Sequence, residues 1–214
     1  MGKLLKKTSF LENSVKIDWG ILPLIEFLLS DYIKYQDKFK LALDIGSGDG
    51  SHTKIMRKFG LKVDQIDKYS EFAEIKEDFL KYNFKNKYDI VFCSHVIEHQ
   101  RNTGLFLDKI FDVLTNKGFL IISAPKHDVN RFVEGHLSSW HLTYFIQNLI
   151  HAGFDCKKGK TISLNQIENS FIVPKSKNFN FSEREEAGYQ WNENHQLRSP
   201  FKLFTGLTIK NEGN

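Results

Sequence analysis

The chain has 214 residues, 41% of them hydrophobic, which is enough for one full-sized packed domain. Its 30 basic and 26 acidic residues leave a formal charge of +4 without a block of one sign, so no anionic partner is named and nucleic acid is not indicated. The longest early apolar stretch, residues 21–29, is broken by Glu26 and falls far short of the ~20 residues that cross a bilayer. No membrane insertion is therefore expected, and the lack of a leader pattern predicts a cytoplasmic protein.

Apolar residues at 22, 24, 25, 28, 29, 32 and 33 predict a helix from Pro23 to Tyr35. "LALDIG" reads as a short buried strand, and "SHTKIMRKFG" as a helix capped by Gly60. "LKVDQID" is a second strand ending in acid, and "YDIVFCSHVI" a third. The amphipathic helix "TGLFLDKIFDVL" follows, then a turn and strand in "NKGFLIISAP", stopped by Pro125. "WHLTYFIQNLIHAGF" is the last helix, leading through Gly153 into two strands, "FDCKKGKTISL" and "ENSFIVPK". Cys93 and Cys156 both fall in these predicted strands and read as buried thiols. From about Ser176 the pattern dissolves but keeps Phe179, Phe181, Tyr189, Trp191, Phe201 and Phe204, which suggests an arm docking on its own domain or on a second copy.

Strands alternating with helices give an α/β fold whose largely parallel sheet is covered on both faces. Ligands then bind beyond the carboxyl ends of the strands, where "LDIGSGDG" places Asp44, Gly46, Gly48 and Gly50. Glycines between a strand and a helix let a ligand approach bare backbone and the helix N–H groups. The spacing is neither GxGxxG nor a Walker-type GK[ST] loop, and an acid at the strand end suits a cationic ligand better than a pyrophosphate.

The acid followed by x-G-x-G-x-G resembles the first motif of the class I S-adenosylmethionine-dependent methyltransferases. Asp67 ends the second strand where that family places the carboxylate for the ribose hydroxyls. "EDF" at 77–79 resembles the adenine-edge turn, with Asp78 for the exocyclic amine and the Phe79 backbone facing the ring. "YDIVFCSHVIEH" and "VLTNKGFLIISAP" fit later motifs, so the resemblance runs over residues 40 to 175. It implies a Rossmann-like three-layer sandwich with a mostly parallel seven-stranded sheet and an antiparallel last strand. It further implies an N-terminal lid or helix segment at 1–38, the cofactor-binding domain at 39–175 and an arm or tail at 176–214. The implied cofactor residues are Asp44, Gly46, Ser47, Gly48, Gly50, Asp67, Lys68, Asp78, Phe79, Ser94 and His95. Only eleven residues separate Asp67 from Asp78, so the family's usual helix and strand there must be short or irregular. Asp64 reads as an exposed strand position.

Five of the eight histidines, His95, His99, His127, His136 and His141, fall at or just beyond the ends of the strands that form the expected cleft. Their ordinary pKa lies near neutrality, as a base for a hydroxyl acceptor requires. Two mechanisms compete. His136, His99 or His141 acts as a general base, or "HVIEH" supplies His95, Glu98 and His99 and the later stretch His136 or His141 to hold a divalent cation that lowers the acceptor's pKa, with Glu98, His99 and His136 the preferred ligands. The second arrangement resembles the ExxEH…H site of small-RNA 2′-O-methyltransferases, with similar motifs in ubiquinone-pathway O-methyltransferases, although position 95 is His where that pattern has Glu. His95 itself reads more simply as scaffold, as does His151 at its helix end.

"EGHLSSWH" resembles sugar-modifying methyltransferases, which implies a small-molecule or glycan acceptor in polysaccharide biosynthesis, with Trp140 and His141 offered to a sugar ring or Trp140 serving as a core anchor. The alternatives are an RNA end, a quinone-like phenol, or a non-catalytic methyltransferase-like scaffold subunit. A homodimer through the C-terminal arm is a further expectation.

Overall fold

The computed structural model describes residues 19–35, 38–128, 131–164, 167–177 and 179, with the backbone of two short strands at 190–191 and 197–198. The expected segment before Trp19, and Phe181, Tyr189, Phe201 and Phe204 of the arm, lie outside the described residues.

Helix α1 (Ile21–Phe27) continues through a π-helical turn at Leu28–Tyr32 into a last turn, α2 (Ile33–Tyr35). Strand β1 (Leu41–Ile45), helix α3 (Ser51–Lys58) and strand β2 (Lys62–Ile66) follow. Strand β3 (Tyr88–Ser94) ends in a 3-10 turn at Ile97–His99, before helix α4 (Thr103–Val113) and strand β4 (Leu114–Pro125). Helix α5 (Leu142–His151), β5 (Lys160–Leu164) and β6 (Glu168–Pro174) complete the domain. Beyond it, β7 (Gln190–Trp191) and β8 (Leu197–Arg198) pair antiparallel.

The main sheet has the order β2-β1-β3-β4-β6-β5, with β6 antiparallel to both neighbours and the β2, β1, β3 and β4 pairs parallel. Among the described residues it has six strands rather than the seven expected. The eleven-residue interval explains the difference. After Asp67 the chain returns to β2 only as a single parallel bridge, Ile66 to Ile75, with Ile75 N–H donating to Gln65 O at 2.9 Å. The short excursion leaves room for a bridge and no strand.

Period-two alternation of the central strands sorts side chains into two layers. Ala42, Ile90, Phe92 and Ile121 pack under Leu24, Phe27, Ile55 and Met56 of α1 and α3. Leu43, Val91, Cys93 and Ile122 pack under Phe106, Ile110, Phe145 and Leu149 of α4 and α5. Helices on both faces of a sheet that is apolar on both faces make the three-layer sandwich.

Several boundaries differ from expectation. β4 starts at Leu114, and its pairing jumps from Tyr88–Leu114 to Ile90–Phe119, so the predicted "NKG" turn is an irregularity within the strand. Cys156 lies in a turn ahead of β5, not in a strand, since Phe154 makes only an isolated bridge to Lys175. Both cysteines are nonetheless free and buried. Asp64 is half-buried and accepts the Tyr88 hydroxyl at 2.7 Å, so it is pinned rather than free. Phe179 packs against Phe111 with ring centroids 5.6 Å apart, seating the chain beyond β6 on α4. No helix among the described residues is long and apolar enough to cross a membrane.

Candidate functional site

The glycine loop opens at the carboxyl end of β1. Gly46 has φ +70°, and its N–H reaches across to Ile66 O on β2 at 2.8 Å. A Cβ here would stand 2.2 Å from Val96 Cγ2, so loop and β3 end approach as only glycine permits. Gly48 sits at the outer bend, with Ser70 Oγ donating to its carbonyl. Its N–H donates to Asp67 Oδ2 at 3.0 Å, while Asp67 Oδ1 accepts Tyr69 N–H at 2.8 Å and Ser70 N–H at 2.9 Å. One carboxylate thus ties the glycine loop to the turn after β2. Gly50 ends the loop as the N-cap of α3.

Together these elements border a cleft of about 340 Å³, whose wall includes Gly46, Asp67, Lys68, Asp78, Phe79, His95 and His99. Asp78 makes its own turn, its Oδ1 accepting Leu80 N–H at 2.9 Å, and stands 3.6 Å from Lys68 Nζ. The half-buried Lys109 ammonium fixes the following carbonyls, donating to Leu80 O at 2.8 Å and Tyr82 O at 2.7 Å. Desolvation lowers that ammonium's pKa. Lys109 was missed in sequence, because a lysine on a helix carries no local sign of the carbonyls it will meet.

Five expected cofactor residues are not on the cleft wall, Gly48 and Gly50 in the loop itself and Asp44, Ser47 and Ser94 around it. Asp44 is buried beneath the loop and accepts the Thr53 hydroxyl at 2.6 Å; burial pushes its carboxyl up to about 7. Ser47 is buried, its hydroxyl without a hydrogen-bond partner among the described residues. Ser94 Oγ donates to Trp19 O at 3.0 Å and accepts from Ser123 Oγ at 3.0 Å, so it holds the chain entering α1.

At the rim stand the histidines. His95 has φ +53°, a strained value for a non-glycine residue. Its Nε2 lies 2.9 Å from Glu168 Oε2, and its ring packs against Trp19 with centroids 4.9 Å apart. The same Glu168 oxygen accepts Gly20 N–H at 2.9 Å. Glu168, which is 1% exposed, has a clear role that sequence reading missed. Contact between β6 and the end of β3 is a tertiary event that no local spacing announces.

Glu98 is likewise 1% exposed, and burial raises its pKa. Oε1 lies 3.7 Å from both His95 Nδ1 and His99 Nε2, and Oε2 has no hydrogen-bond partner among the described residues. His99 Nδ1 meets Gly135 O at 2.8 Å; a carbonyl only accepts, so Nδ1 donates there, and Nε2 is the ring atom turned to Glu98. Leu137 N–H donates to Glu98 O at 2.7 Å, bringing His136 alongside. The His99 and His136 rings meet edge-on at 4.9 Å, and His127 Nε2 lies 3.3 Å from His136 Nδ1. Burial, then the neighbouring imidazoles, lower the His136 pKa.

Ligand atoms of Glu98, His99 and His136 lie within 4.8 Å of one another. Donors ~2.1 Å from a common ion stand about 3–4 Å apart, so a small closure would let these residues hold a first-row divalent cation. The Glu98 oxygen that has no partner among the described residues, with His99 Nε2 turned to the same carboxylate, fits such a group. His141 does not join them; it is exposed at the start of α5, where its carbonyl accepts Phe145 N–H. Trp140 is 0% exposed, its indole N–H bonded to Ser138 Oγ, so it is a core anchor and cannot stack on a sugar.

A family profile described as "Methyltransferase domain" matches residues 21–181. The chain is 30% identical over 156 residues to a ubiquinone biosynthesis O-methyltransferase of Rickettsia canadensis, a match covering 63% of this chain and 66% of that relative. Among solved structures it is similar to the 1,6-didemethyltoxoflavin-N1-methyltransferase of Burkholderia thailandensis, crystallised with 1,6-didemethyltoxoflavin and S-adenosylhomocysteine. There the TM-score is 0.59 at 14% identity, covering 72% of this chain and 78% of that one. The N-methyltransferase NodS of Bradyrhizobium japonicum superposes with TM-score 0.55 at 15% identity, over 72% and 93% of the two chains. These two likenesses concern the fold.

Proposed function

This chain belongs to the methyltransferase-domain family, with the class I S-adenosylmethionine-dependent fold, and from that premise we propose that it methylates a hydroxyl oxygen of a small-molecule acceptor. S-adenosylmethionine supplies an electrophilic methyl group on a sulfonium, so the chain's task is to align the acceptor oxygen, exclude water and take its proton. Asp67, Lys68, Asp78 and the Phe79 backbone hold the nucleoside end of the cofactor, and Gly46 lines the same cleft.

The observation that carries the choice of oxygen is the convergence at Glu98. Beside the cofactor cleft, Glu98 Oε1 lies 3.7 Å from His99 Nε2, Oε2 is buried without a partner among the described residues, and a His136 ring nitrogen completes a set of ligand atoms within 4.8 Å of one another. Glu98, His99 and His136 would hold a divalent cation there, and such an ion lowers the pKa of an adjacent hydroxyl. A second reading uses His136 without an ion. Its lowered pKa keeps the imidazole neutral near pH 7, ready to accept the hydroxyl proton. Of the expected acceptors, a phenol-type hydroxyl is favoured over a sugar, because buried Trp140 offers no stacking surface. The O-methyltransferase activity named for the Rickettsia relative supports the same reaction class.

The test is calorimetric titration of chelator-treated protein with S-adenosylhomocysteine, repeated with manganese and with Asp67→Ala. Saturable binding weakened at least a hundredfold by Asp67→Ala is expected. No binding in either buffer would overturn the methyltransferase reading and return a scaffold role to the front.

A further inference from the structure

A second cavity, of about 300 Å³, lies on the far side of the histidine cluster. Its wall includes His127, Arg131, Phe132, Val133, His136 and Leu137. His99 faces the cofactor cleft and His136 faces this cavity, and the two rings touch at 4.9 Å. The walls of the two spaces thus meet at the His99–His136 contact. In-line methyl transfer needs the acceptor on the side of the methyl group opposite the departing sulfur, and this cavity adjoins the cluster from beyond the cleft.

Its wall has a distinct chemistry. Phe132 is 90% exposed and Leu137 64%, an uncommon exposure for two large apolar side chains of one short segment. Between His127 and Phe132 stands Arg131, and among the described residues no carboxylate lies within ion-pair distance of its guanidinium. An unpaired planar fork beside apolar side chains matches a flat ring carrying an acid group, since guanidinium binds carboxylate through two parallel hydrogen bonds.

We propose that this cavity is the acceptor site and that Arg131 selects an aromatic hydroxyl compound bearing a carboxylate. Phe132, Val133 and Leu137 cover the ring, Arg131 pairs with the acid, and the reacting hydroxyl points to His136. The inference rests on the proposed methyl transfer to oxygen and names its acceptor class.

The test compares caffeate, a catechol with a carboxylate arm, with the neutral 4-methylcatechol. Charge-assisted pairing predicts a KM roughly tenfold or more lower for caffeate. Arg131→Gln should bring the ratio of the two KM values towards one, whereas Phe132→Ala should raise both values and keep their ratio. S-adenosylhomocysteine titration of each variant shows whether the fold stands. Equal KM values in the wild type, or a preference that survives Arg131→Gln, would overturn the proposal. Should neither catechol be methylated by protein that binds S-adenosylhomocysteine, direct titration of the two catechols into that complex decides. Absence of Arg131-dependent caffeate binding there overturns the acceptor class alone, while loss of S-adenosylhomocysteine binding overturns the methyltransferase reading beneath it.

Discussion

His95 and Glu168 are 73 residues apart in sequence and 2.9 Å apart in space, Nε2 to Oε2, and the same carboxylate oxygen holds Gly20 N–H. One buried acid therefore fastens the chain entering α1 to the end of β3, beside the cleft at the glycine loop. Removing one partner of a buried pair costs about 3–5 kcal/mol, because the others are left desolvated. Glu168→Ala should lower unfolding free energy by that order in urea titration, and Glu168→Gln, which keeps an acceptor oxygen, by clearly less. The Trp19 indole, stacked on His95, should red-shift in Glu168→Ala, with Trp19→Phe identifying its share of the fluorescence. Equal losses for both variants would show that shape, not this carboxylate, does the fastening.

Asp44 makes stability depend on pH in an unusual direction. Its carboxyl is raised from near 3.8 to about 7 in the fold, chiefly by burial. Between those values the native state holds a proton that the unfolded chain has lost, so stability falls as pH rises from about 4 to about 7. At 1.36 kcal/mol per unit the fall is of order 4 kcal/mol, and Asp44→Asn should flatten it. Denaturant titrations of both proteins at pH 5 and pH 8 measure the difference. Parallel curves would mean that the Thr53 hydroxyl keeps Asp44 ionised throughout.

At Glu98, function and stability pull apart. A buried carboxylate oxygen without a partner costs about 1–3 kcal/mol, so Glu98→Gln should stabilise the ion-free protein or leave it unharmed. The same change removes the charged ligand from the cluster. With manganese or cobalt at a hundred times its Kd, the wild type gains about 2.7 kcal/mol of apparent stability, and Glu98→Gln should gain none. Thermal melts with and without ion read both effects. A wild-type melt unmoved by either cation would leave His136 as the metal-free base.

What sequence reading reached and what it missed divide along physical lines. Asp44, the glycines, Asp67 and the Asp78 turn lie within 35 residues and are joined by strand-to-loop geometry, so spacing alone places them together. The alternation of strand and helix likewise carries the three layers. The seventh strand failed because an interval of eleven residues was filled with a family average; the chain makes one bridge there, at Ile75. Glu168, Lys109 and the His127–His136 contact depend on β6, α4 and the loop after β4 converging. A glutamate at a strand end and a lysine on a helix face are ordinary, so no pattern singles out those two, and the positions of the histidines mark them as candidates without showing that they touch. Trp140 carried two readings, since an aromatic residue beside a helix start serves as a platform or an anchor, and its burial bears out the anchor.

The glycine loop gives the sharpest contrast between two neighbouring positions. At Gly46 an added methyl meets Val96 Cγ2 at 2.2 Å and a backbone φ of +70°, combining a clash with left-handed strain. Strain of ~1–2 kcal/mol and overpacking of ~1–3 kcal/mol together predict a loss of about 2–5 kcal/mol for Gly46→Ala. At Gly48 φ is +53° but nothing lies within 4 Å of a built Cβ, so Gly48→Ala should cost only the strain, about 1–2 kcal/mol. Trimming the obstacle separates the two terms, and Val96→Ala in the Gly46→Ala background should recover the overpacking part and leave the strain. Urea midpoints of the two single variants and the double variant measure this. Equal losses for Gly46→Ala and Gly48→Ala would mean that the loop relaxes away from Val96, and that the close approach of the glycine loop to the end of β3 is not rigidly held.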